Sequence, residues 1–528
     1  MRDLVRVVTS SESAARDASA IGEGIPPRAL MQRAGAAAAG EIALRCRDRL
    51  AGGVLVLAGP GNNGGDAWVV ARSLAASGVR VRVVEPVPAK TADAVAERAL
   101  ALAVPAVRLE HGLPDSLDAG ESIVVDGLLG TGANGAPRGD LAAAIDRLGP
   151  LAERGAIVVA LDLPSGVDAT TGGTAGSFAT ADLTITFGTI KRGQLVARDA
   201  CGAIVAVDIG LGRHAAIDDG APELVDEAWA AGRLPRISAN ANKGTRKKLA
   251  IVGGAAGMAG AAVLAARGAM RSGAGMVKLV VAPESLGPVQ ESEPGALAAA
   301  WPLDDDGVER DVASWADAVV IGAGLGRHVA SRALLERVLR KWTGPVLLDA
   351  DAITLFEGRA NDLAARIGDR PALLTPHPVE FSRLAAVAVD DVLAQRFDIS
   401  RPLAATLGAA VLLKGVPTVV TAPNGRRLVS ATGTPALATG GSGDLLSGIA
   451  GTLLAQLGDP FEAGAIGAWV HGRAAERVPS TSGDPVRGIA LDDVVAELRD
   501  GWTFDLRPAR YPVLVELPAA GARRWQLG

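Results

Sequence analysis

Residues 54–78 read VLVLAGPGNNGGDAWVVARSLAASG. An apolar run, a loop rich in Gly and Asn and an Ala-rich segment follow one another, which is typical of a buried strand, a tight turn and a helix. Open α/β sheets bind ligands beyond the carboxyl ends of their strands, so the loop Gly59–Ala67 is a candidate binding site. Its glycine amides and the following helix N-terminus suit a phosphate group. A plain strand-to-helix turn is the alternative interpretation.

The same alternation of strands and helices continues along most of the chain and predicts an α/β fold with parallel sheets covered on both faces. The strands predicted in the first half are Val54–Leu57, Val81–Val84, Ile123–Val125, Ile157–Leu161, Leu183–Phe187 and Ile204–Val207. A second series begins at Leu249 and continues with Val277–Val281, Ala318–Ile321, Val346–Leu348, Leu373–Leu374 and Val411–Leu413. Near its end, Asn424-Gly425 between two apolar-containing runs predicts a tight hairpin.

Length and composition restrict the organisation and the partners of the chain. Its 528 residues exceed the ~150 residues of one domain several-fold, so we expect two or more cores. We predict one domain over residues 1–216, a linker over 217–242, a second domain over 243–502 and a C-terminal extension over 503–528. The net charge is −5 and aromatic residues make up 3%, so we expect no nucleic-acid partner.

The lack of a recognisable secretion signal and the cysteine usage predict a cytoplasmic protein. Cys46 and Cys201 lie far apart without metal-site spacing, and the first residues lack the apolar stretch of a secretion signal. The uncharged run Leu249–Ala266 is rich in Gly and Ala, and we interpret it as strand, turn and helix rather than a membrane anchor. No membrane association is therefore expected.

Two further strand ends resemble the first loop in their polar, Gly-rich character: VVDGLLGTG at residues 124–132 and LDLPSGVD at residues 161–168. Asp126, Asp162 and Ser165, together with Asn63, offer hard oxygen donors that could hold an alkali or alkaline-earth cation. Alternatively, each Asp caps a neighbouring helix or turn.

The motifs GPGNNGGD, DGLLGTG, DLPSGVD and TFGTIKRG, preceded by GIPPRALMQRAG, resemble the epimerase domain of the NAD(P)H-hydrate repair enzymes over roughly residues 7–212. The resemblance implies a Rossmann-like three-layer fold that interconverts the R and S epimers of hydrated NADH or NADPH with the help of K⁺. The potassium ligands that it implies are Asn63, Asp126 and Ser165. The implied hydrate-binding residues are Asn62, Asn63, Gly64, Gly65, Asp66, Gly130, Thr131, Gly132, Ala133, Asn134, Gly135, Ala136 and Asp162.

Epimerisation at C6 of the hydrate requires loss and return of water or ring opening, so an acid or base must lie near that carbon. Asp126 is the first candidate and Lys191 the second. A solvated surface lysine is the alternative for Lys191. Ala67 stands where many relatives have Gly, and its methyl group could crowd the loop.

The C-terminal half contains ATGGSGDLLSG at residues 438–448. Amides of Gly441, Ser442 and Gly443 at a helix start can stabilise negative charge on a transferring phosphoryl group. Asp444 beside them can take a proton from a hydroxyl nucleophile. A Gly-rich helix start with an acidic first turn is the alternative without catalysis.

Other motifs of this half support a phosphate-handling site. Lys414 and Thr418 flank a strand end where nucleotide phosphates could lie. Asp349 and Asp351 are two apart on a predicted strand and hence on one face, suited to Mg²⁺ or substrate. For His377, fixed between two prolines, structural and catalytic roles remain equal alternatives.

The segments KGTRKKLAIVGG, GAGLG, DADA, TPHPVE, LLKGVPT and GGSGD resemble the ADP/ATP-dependent NAD(P)H-hydrate dehydratases over about residues 243–500. The resemblance implies a ribokinase-like fold with ADP as co-substrate and Mg²⁺ beside it. It departs from the family pattern at Ser442, usually Thr, and at Val379, usually Gly; the Tyr common in the first loop is absent. The implied nucleotide-binding residues are Lys414, Gly415, Val416, Pro417, Thr418 and Gly443, and the implied hydrate-binding residues are Ala261, Gly324, His377 and Asp444.

The two resemblances together predict a bifunctional repair enzyme. The first domain equilibrates the epimers, and the second removes water from the S form with ADP, releasing AMP and phosphate. A homo-oligomer is expected. One alternative is a ribokinase-like kinase of small vitamin precursors with a non-catalytic dinucleotide-binding N-terminal domain, and another is a scaffold that retains both folds without chemistry.

Overall fold

The computed structural model of the protein describes residues 4–111, 121–133, 135–479, 487–505, 507 and 509–520. The chain forms two compact units. The N-terminal unit comprises Met1–Ala221 and Arg507–Gly528, and the C-terminal unit comprises Pro222–Leu506. None of the helices in these described ranges is long and apolar enough to cross a membrane.

The strands and helices of the described ranges are numbered in chain order. The strands are β1 (Val7–Val8), β2 (Val54–Ala58), β3 (Val81–Glu85), β4 (Val107–His111), β5 (Ile123–Gly127), β6 (Ile157–Leu161), β7 (Leu183–Phe187), β8 (Ile190–Lys191), β9 (Ala203–Val207), β10 (Glu223–Leu224), β11 (Lys248–Val252), β12 (Met276–Val281), β13 (Leu297–Ala300), β14 (Ala318–Ile321), β15 (Val346–Leu348), β16 (Ala372–Leu374), β17 (Ala410–Leu413), β18 (Thr418–Thr421), β19 (Arg427–Ser430) and β20 (Val513–Leu517). The helices are α1 (Ser10–Gly22), α2 (Pro27–Arg45), α3 (Asn62–Ala76), α4 (Ala92–Leu102), α5 (Gly139–Glu153), α6 (Arg192–Val196), α7 (Arg198–Cys201), α8 (Glu227–Arg233), α9 (Ala259–Arg271), α10 (Leu286–Ser292), α11 (Asp305–Val308), α12 (Val329–Lys341), α13 (Asp351–Thr354), α14 (Ala360–Ile367), α15 (Pro378–Ala385), α16 (Val389–Ala394), α17 (Ser400–Leu407), α18 (Ser442–Leu457), α19 (Pro460–Arg477) and α20 (Leu491–Gly501).

The N-terminal unit is built on a sheet with the strand order β20-β9-β7-β6-β5-β2-β3-β4. All neighbouring strands run parallel except β20, which is antiparallel to β9. Successive side chains of a strand point to opposite faces. Accordingly, Val54 and Val56 join the core with Trp68 of α3, whereas Leu55 and Leu57 join the core formed with α5. Helices therefore cover both faces, and the unit has three layers.

The C-terminal unit has a sheet with the order β10-β19-β18-β17-β16-β15-β14-β11-β12-β13. It is parallel except where β18 pairs antiparallel with both β17 and β19. The β18–β19 connection contains Gly425 at φ +82°, so the hairpin predicted from Asn424-Gly425 is present. The α/β fold class predicted from sequence is confirmed in both units.

Glycine sets the distance between neighbouring strand ends in both sheets. Gly59 follows β2, and a Cβ on it would lie 1.8 Å from the carbonyl oxygen of Leu128, which follows β5. Gly253 follows β11, and its Cβ would lie 2.0 Å from the carbonyl oxygen of Ala323, which follows β14. Such distances exclude any side chain, so glycine is required where the loops of adjacent strands meet.

Two segments differ from the sequence-based organisation. The segment predicted as a linker, 217–242, contains β10 and α8, and β10 pairs with β19 at the edge of the C-terminal sheet. The predicted C-terminal extension, 503–528, contains β20, which completes the N-terminal sheet. Both strands lie at the edge of a sheet, and edge pairing depends on a partner that is distant in sequence rather than on the local apolar pattern.

We expect β20 to contribute measurably to the stability of the N-terminal unit. Leu517 is buried against the sheet, so Leu517→Ala should lower the free energy of unfolding of this unit by about 2 kcal/mol or more. Glu516 is exposed and pairs with Arg45, so Glu516→Gln should cost less than about 1 kcal/mol. Hydrogen exchange of the β9 amides under increasing denaturant measures both. Equal effects would contradict a structural role of β20.

Candidate functional site

A cavity of about 530 Å³ lies at the carboxyl ends of β2, β5 and β6 in the N-terminal unit. Parallel strands end together on one edge of the sheet, which brings the three Gly-rich motifs to one place. Helix α1 supplies part of the wall through Ser13, Ala14, Asp17 and Ile21. The sequence-predicted residues that line the cavity are Asn62, Asn63, Asp66, Gly130, Thr131, Gly132, Ala133, Asp162 and Lys191.

The loop glycines Gly64 and Gly65 pack against protein rather than facing the cavity. A Cβ on Gly64 would lie 1.8 Å from the carbonyl oxygen of Gly59, and one on Gly65 would lie 2.5 Å from the side chain of Met31. They allow α3 to begin directly against the end of β2. Ala67 is fully buried beside Gly127, which has no side chain, so its methyl group is accommodated.

Asp126, the first sequence-based candidate for acid/base catalysis, is buried at the end of β5 and does not line this cavity. Its Oδ1 accepts hydrogen bonds from Ser165 Oγ at 2.6 Å and from the Leu128 amide at 3.2 Å. Its Oδ2 accepts one from the Ser165 amide at 2.8 Å. Burial raises the pKa of Asp126, and the bonds from Ser165 and Leu128 oppose that rise.

Asn63 and Leu129 extend this group of oxygen atoms towards the cavity. Asn63 Nδ2 donates to the Leu129 carbonyl at 2.8 Å, and the Leu129 amide donates to Ser165 Oγ at 2.9 Å. Asn63 Oδ1 is buried and has no hydrogen-bond partner among the described residues. A buried carbonyl oxygen without a partner is costly unless a ligand satisfies it.

Lys191 and Asp162 form a buried ion pair at the cavity wall. Lys191 is only 1% exposed, so the solvated-surface alternative is wrong for it. Its Nζ donates to Asp162 Oδ1, to Thr186 Oγ1 at 2.9 Å and to the Phe187 carbonyl at 3.2 Å. Asp162 has φ +62°, a left-handed conformation that Asp tolerates better than most residues. The pair fixes a carboxylate at the end of β6.

Besides Asp162, three carboxyl groups line the cavity: Asp66 of α3, Asp17 of α1 and Asp93 of α4. Burial raises the pKa of Asp66 well above its usual value, and the charges of Asp162 and Asp17 raise it further. Burial also raises the pKa of Asp17; the ammonium of Lys191 opposes this rise and Asp162 adds to it. Asp17 lies outside every motif used above, in a segment whose composition resembles an ordinary surface helix.

The rest of the predicted dinucleotide loop borders a second cavity of about 260 Å³. Gly130, Ala133 and Gly135 line it together with Asp168. Ala136 is exposed beside this loop. Asn134 lies outside the described residues.

In the C-terminal unit, Asp349 links three elements at the carboxyl edge of the sheet. It follows β15 and is 1% exposed. Its Oδ1 accepts from Lys414 Nζ at 2.9 Å, beyond β17, and its Oδ2 accepts from Ser447 Oγ at 2.6 Å, on α18. Sequence reasoning missed Ser447, although its spacing of three from Asp444 places both on one helix face.

The prediction that Asp349 and Asp351 share one face of a strand is wrong. Strand β15 ends at Leu348, Ala350 has φ +48°, and Asp351 begins α13. The buried strand consists of only three apolar residues, and the two Asp residues that follow it belong to the turn before α13 and to the start of that helix. Asp351 Oδ2 instead accepts a hydrogen bond from the Gly326 amide at 2.9 Å.

Asp444 lies in the first turn of α18 within the field of several charges. Burial, together with the charges of Asp349, Asp351 and Glu380, raises the pKa of Asp444 to about 7, against the opposing effect of Lys414. A Cβ on Gly443 would lie 3.0 Å from Lys414 Nζ, so the ammonium stands directly at the helix start.

Lys414 is held as a cation by this acidic surrounding. Burial lowers its pKa, but Asp349, Glu380 and Asp444 outweigh that effect and raise the pKa overall. A fixed ammonium beside the backbone amides at the start of α18 forms a strongly anion-attracting position.

His377 caps α15, which supports a structural role for its Nδ1. That nitrogen accepts from the amides of Val379 at 3.1 Å and Glu380 at 3.4 Å. Burial and the nearby Lys414 lower the pKa of His377. Its side chain is 47% exposed, with Nε2 3.3 Å from Glu380 Oε1, so the ring edge remains accessible to a ligand.

The remaining predicted residues lie in two loops of the same unit. Ala261 and Gly324 are adjacent, since a Cβ on Gly324 would lie 3.0 Å from the Ala261 Cβ. In the Lys414–Thr418 turn, Thr418 Oγ1 donates to the Gly415 carbonyl at 3.0 Å.

Arg396 supports this turn by donating from its guanidinium to the carbonyl oxygens of Val416 and Pro417. Sequence reasoning missed Arg396, because nothing near it in the chain marks it. Val416 itself is 63% exposed.

Ser442, the first residue of α18, is buried, and its Oγ lies 3.5 Å from Nε2 of His471 on α19. Burial and the nearby Lys414 lower the pKa of His471 to about 4. The imidazole is therefore neutral and can share a proton with the hydroxyl without adding charge.

Two family models match this chain, one in each half. The model described as YjeF-related protein N-terminus matches residues 27–193, and the model described as NAD(P)H-hydrate dehydratase matches residues 249–495. Among solved structures, an ADP/ATP-dependent NAD(P)H-hydrate dehydratase from Bacillus subtilis, co-crystallised with ATP and Mg²⁺, is 28% identical, with a TM-score of 0.45 over 52% of this chain and 96% of that chain. A ribokinase-like superfamily protein from Enterococcus faecalis V583 is 24% identical, with a TM-score of 0.46 over 53% and 95%.

Curated relatives match both halves at once. The bifunctional NAD(P)H-hydrate repair enzyme of Escherichia coli (strain K12) is 34% identical over 459 residues, covering 84% of each chain. The enzyme of Leishmania infantum is 34% identical over 481 residues, again covering 84% of each. That of Salinibacter ruber is 34% identical over 523 residues, covering 92% of this chain and 94% of the relative. Such identity across both units shows that this chain belongs to the family of bifunctional NAD(P)H-hydrate repair enzymes.

Proposed function

We propose that the N-terminal unit interconverts the R and S epimers of hydrated NADH and NADPH, and that the C-terminal unit dehydrates the S form with ADP. The observation that carries this proposal is a lysine–aspartate ion pair at the strand ends of each unit, Lys191–Asp162 in one and Lys414–Asp349 in the other. Each pair lies beside a Gly-rich helix start that suits phosphate groups. Family membership supports the substrate.

In the N-terminal unit, the cavity of about 530 Å³ matches the size range of small-ligand sites. The start of α3 and the Gly130–Ala133 segment would face the pyrophosphate and the sugars, because both expose backbone amides and small side chains. The Lys191–Asp162 pair would fix the orientation of the hydrated ring through Asp162 Oδ2, the oxygen that does not accept from Lys191.

Potassium fits the oxygen atoms around Asn63. K⁺ favours carbonyl, hydroxyl and carboxylate oxygens, and Asn63 Oδ1, Ser165 Oγ and Asp126 offer one of each. The buried Asn63 Oδ1 without a partner is the donor that a cation would satisfy. Bound there, K⁺ would supply a positive charge that orders the Leu129 loop beside the cavity.

In the C-terminal unit, Lys414 and the amides of Ser442 and Gly443 would hold the ADP phosphates. Asp444, as carboxylate, would take the proton of the C6 hydroxyl. The hydroxyl oxygen would attack the β-phosphorus of ADP, and AMP would leave. The ring nitrogen lone pair would then expel phosphate, and loss of a C5 proton would restore the C5=C6 bond of NAD(P)H.

Magnesium would accompany ADP rather than sit in a protein cage. In the described part of the chain, no group of three or more His, Cys, Asp or Glu side chains is arranged to hold a metal ion. Mg²⁺ typically takes one or two carboxylates and completes its shell with substrate phosphates and water. Asp351, which is half-buried near the phosphate position, fits that role.

The rival function is a small-molecule kinase with a non-catalytic N-terminal unit. We expect a mixture of R and S hydrates, incubated with the full chain, K⁺, Mg²⁺ and ADP, to convert completely to NAD(P)H, measured by absorbance. Consumption of the S form alone would remove the epimerase function. Absence of any reaction, with phosphorylation of vitamin precursors instead, would establish the kinase.

Asp444→Asn should stop dehydration and leave epimerisation intact, because the amide cannot accept the hydroxyl proton. We expect the dehydration rate to fall about 100-fold or more. Asp390→Asn is the matched control, since this Asp is exposed on α16. Loss of both activities in a folded Asp444→Asn protein would contradict independent sites.

The dehydration rate should also depend on pH through Asp444. Its pKa of about 7 lies above the usual value, so the carboxylate that acts as base is the minor form below pH 7. The rate at saturating ADP and hydrate should therefore rise about tenfold from pH 5 to pH 6 and level off above pH 8. A rate that is flat between pH 5 and pH 7 would exclude Asp444 as the base.

Asn63→Ala should weaken the response to potassium, because it removes the unpartnered oxygen. At constant ionic strength set with Li⁺, half-maximal epimerisation should need about tenfold more K⁺ in the variant. The K⁺ titration of Asp444→Asn serves as the control for an unaltered N-terminal unit. A potassium response identical to that of the wild type would move the cation elsewhere.

A further inference from the structure

We propose that Asp17 and Asp66 form a carboxyl pair that transfers protons to and from the C6 oxygen of the hydrate in the N-terminal cavity. The inference rests on the proposed epimerase function and assigns its acid and base. It replaces Asp126, whose oxygens face Ser165 and Leu128 rather than the cavity.

The placement of Asp17 depends on the N-terminal helix, which closes one side of the cavity. Ser13, Ala14, Asp17 and Ile21 of α1 line it, and their spacing corresponds to one helix face. The neighbouring Arg16 points elsewhere, to Asp219 at 2.8 Å.

Two further contacts hold α1 in place, one at its first residue and one in its second half. Ser10 Oγ donates to the Thr131 carbonyl at 2.6 Å, within the dinucleotide loop. Ser19 Oγ lies 3.0 Å from Nδ1 of His214. These bonds on both sides of Asp17 hold its carboxyl group at the cavity wall.

The carboxyl groups at this end of the sheet divide into two kinds. Asp126 accepts hydrogen bonds from Ser165 and Leu128 and does not line the cavity, and Asp162 is paired with Lys191. Asp17 and Asp66 line the cavity, and neither forms a hydrogen bond or ion pair with the side chains and amides that the structure describes. Asp93 of α4 also lines the cavity, but it is not among the charges that shift the pKa of Asp17 or Asp66. Asp17 and Asp66 are therefore the groups placed to exchange a shared proton with a ligand.

The charges around the pair favour a single shared proton. Asp17 raises the pKa of Asp66, and Asp162 raises the pKa of both, while Lys191 lowers both. Because the charge of Asp17 opposes ionisation of Asp66, we infer that one of the two holds a proton while the other is charged. An acid and a base are then present in the same cavity.

Inversion at C6 requires both forms. The protonated carboxyl donates its proton to the C6 hydroxyl, the C6–O bond breaks, and water leaves as the ring nitrogen lone pair forms a C6=N1 iminium cation. Water adds to the opposite face of C6, the carboxylate removes its proton, and the electron pair returns to nitrogen. Protons and electrons balance, so no co-reactant is needed.

Lys191 does not compete for this role. Its ammonium donates to Asp162, Thr186 and the Phe187 carbonyl, so its three protons have partners within the protein. It acts as a positioning residue for Asp162.

The test measures epimerisation of the R hydrate by the full chain in K⁺ without ADP, with R and S forms separated by chromatography. Asp17→Asn should lower kcat about 100-fold or more and change KM less than about threefold. Asp17→Glu should retain at least a tenth of the rate, because it keeps a carboxyl group. Asp146→Asn, an exposed position on α5, is the matched control.

Separate outcomes decide the inference and the function on which it rests. No epimerisation by the wild-type chain would remove the proposed epimerase. Epimerisation by the wild type together with a near-normal kcat for Asp17→Asn would overturn the assignment. Equal losses in Asp17→Asn and Asp17→Glu would overturn it too, because only the fit of the side chain would then matter. Hydrogen exchange of the β9 amides, unchanged in each variant, reports correct folding of the N-terminal unit that contains Asp17.

Discussion

Contact between the backbones of neighbouring strand ends is the constraint on which both units depend. Gly59 meets the Leu128 carbonyl in one sheet and Gly253 meets the Ala323 carbonyl in the other, at distances that admit no side chain. This proximity gathers the loops of several parallel strands around one point. Backbone amides, buried carboxylates and a lysine are thereby gathered at the same edge of each sheet, so the abundance of glycine is a requirement of site assembly.

The two sites use the same ion pair in different electrostatic settings. In the N-terminal unit, several carboxyl groups surround a lysine that is fully engaged, which favours shared protons and proton transfer. In the C-terminal unit, Lys414 stands at a helix start, so its charge adds to the positive end of the helix dipole and suits phosphate. The position of the cation relative to a helix end therefore separates proton chemistry from phosphoryl chemistry.

Sequence reasoning identified the fold class, the central strands and most of the loops that meet at each site, because buried parallel strands are continuous apolar runs with Gly-rich ends. It failed where partners are distant. Nothing in the sequence of α1 marks Asp17 as a site residue, and it is recognised only from the position of α1 at the cavity wall. Asp126 was the first catalytic candidate because it ends a strand, and its hydrogen bonds to Ser165 and Leu128 could not be foreseen from the chain around it. Ser447, three residues after Asp444, was recognisable from spacing alone.

The N-terminal unit is completed during biosynthesis only after the C-terminal unit has been made, because β20 follows that unit in the chain. Strand β9 lies about 300 residues before its partner β20. At a translation rate of about 5–20 residues per second, the edge of β9 would stay unpaired for about 15–60 s after its own synthesis. An open strand edge is a template for wrong pairing. The nascent first unit would therefore need protection until the last strand emerges, and a gene split between the two units would make that exposure permanent.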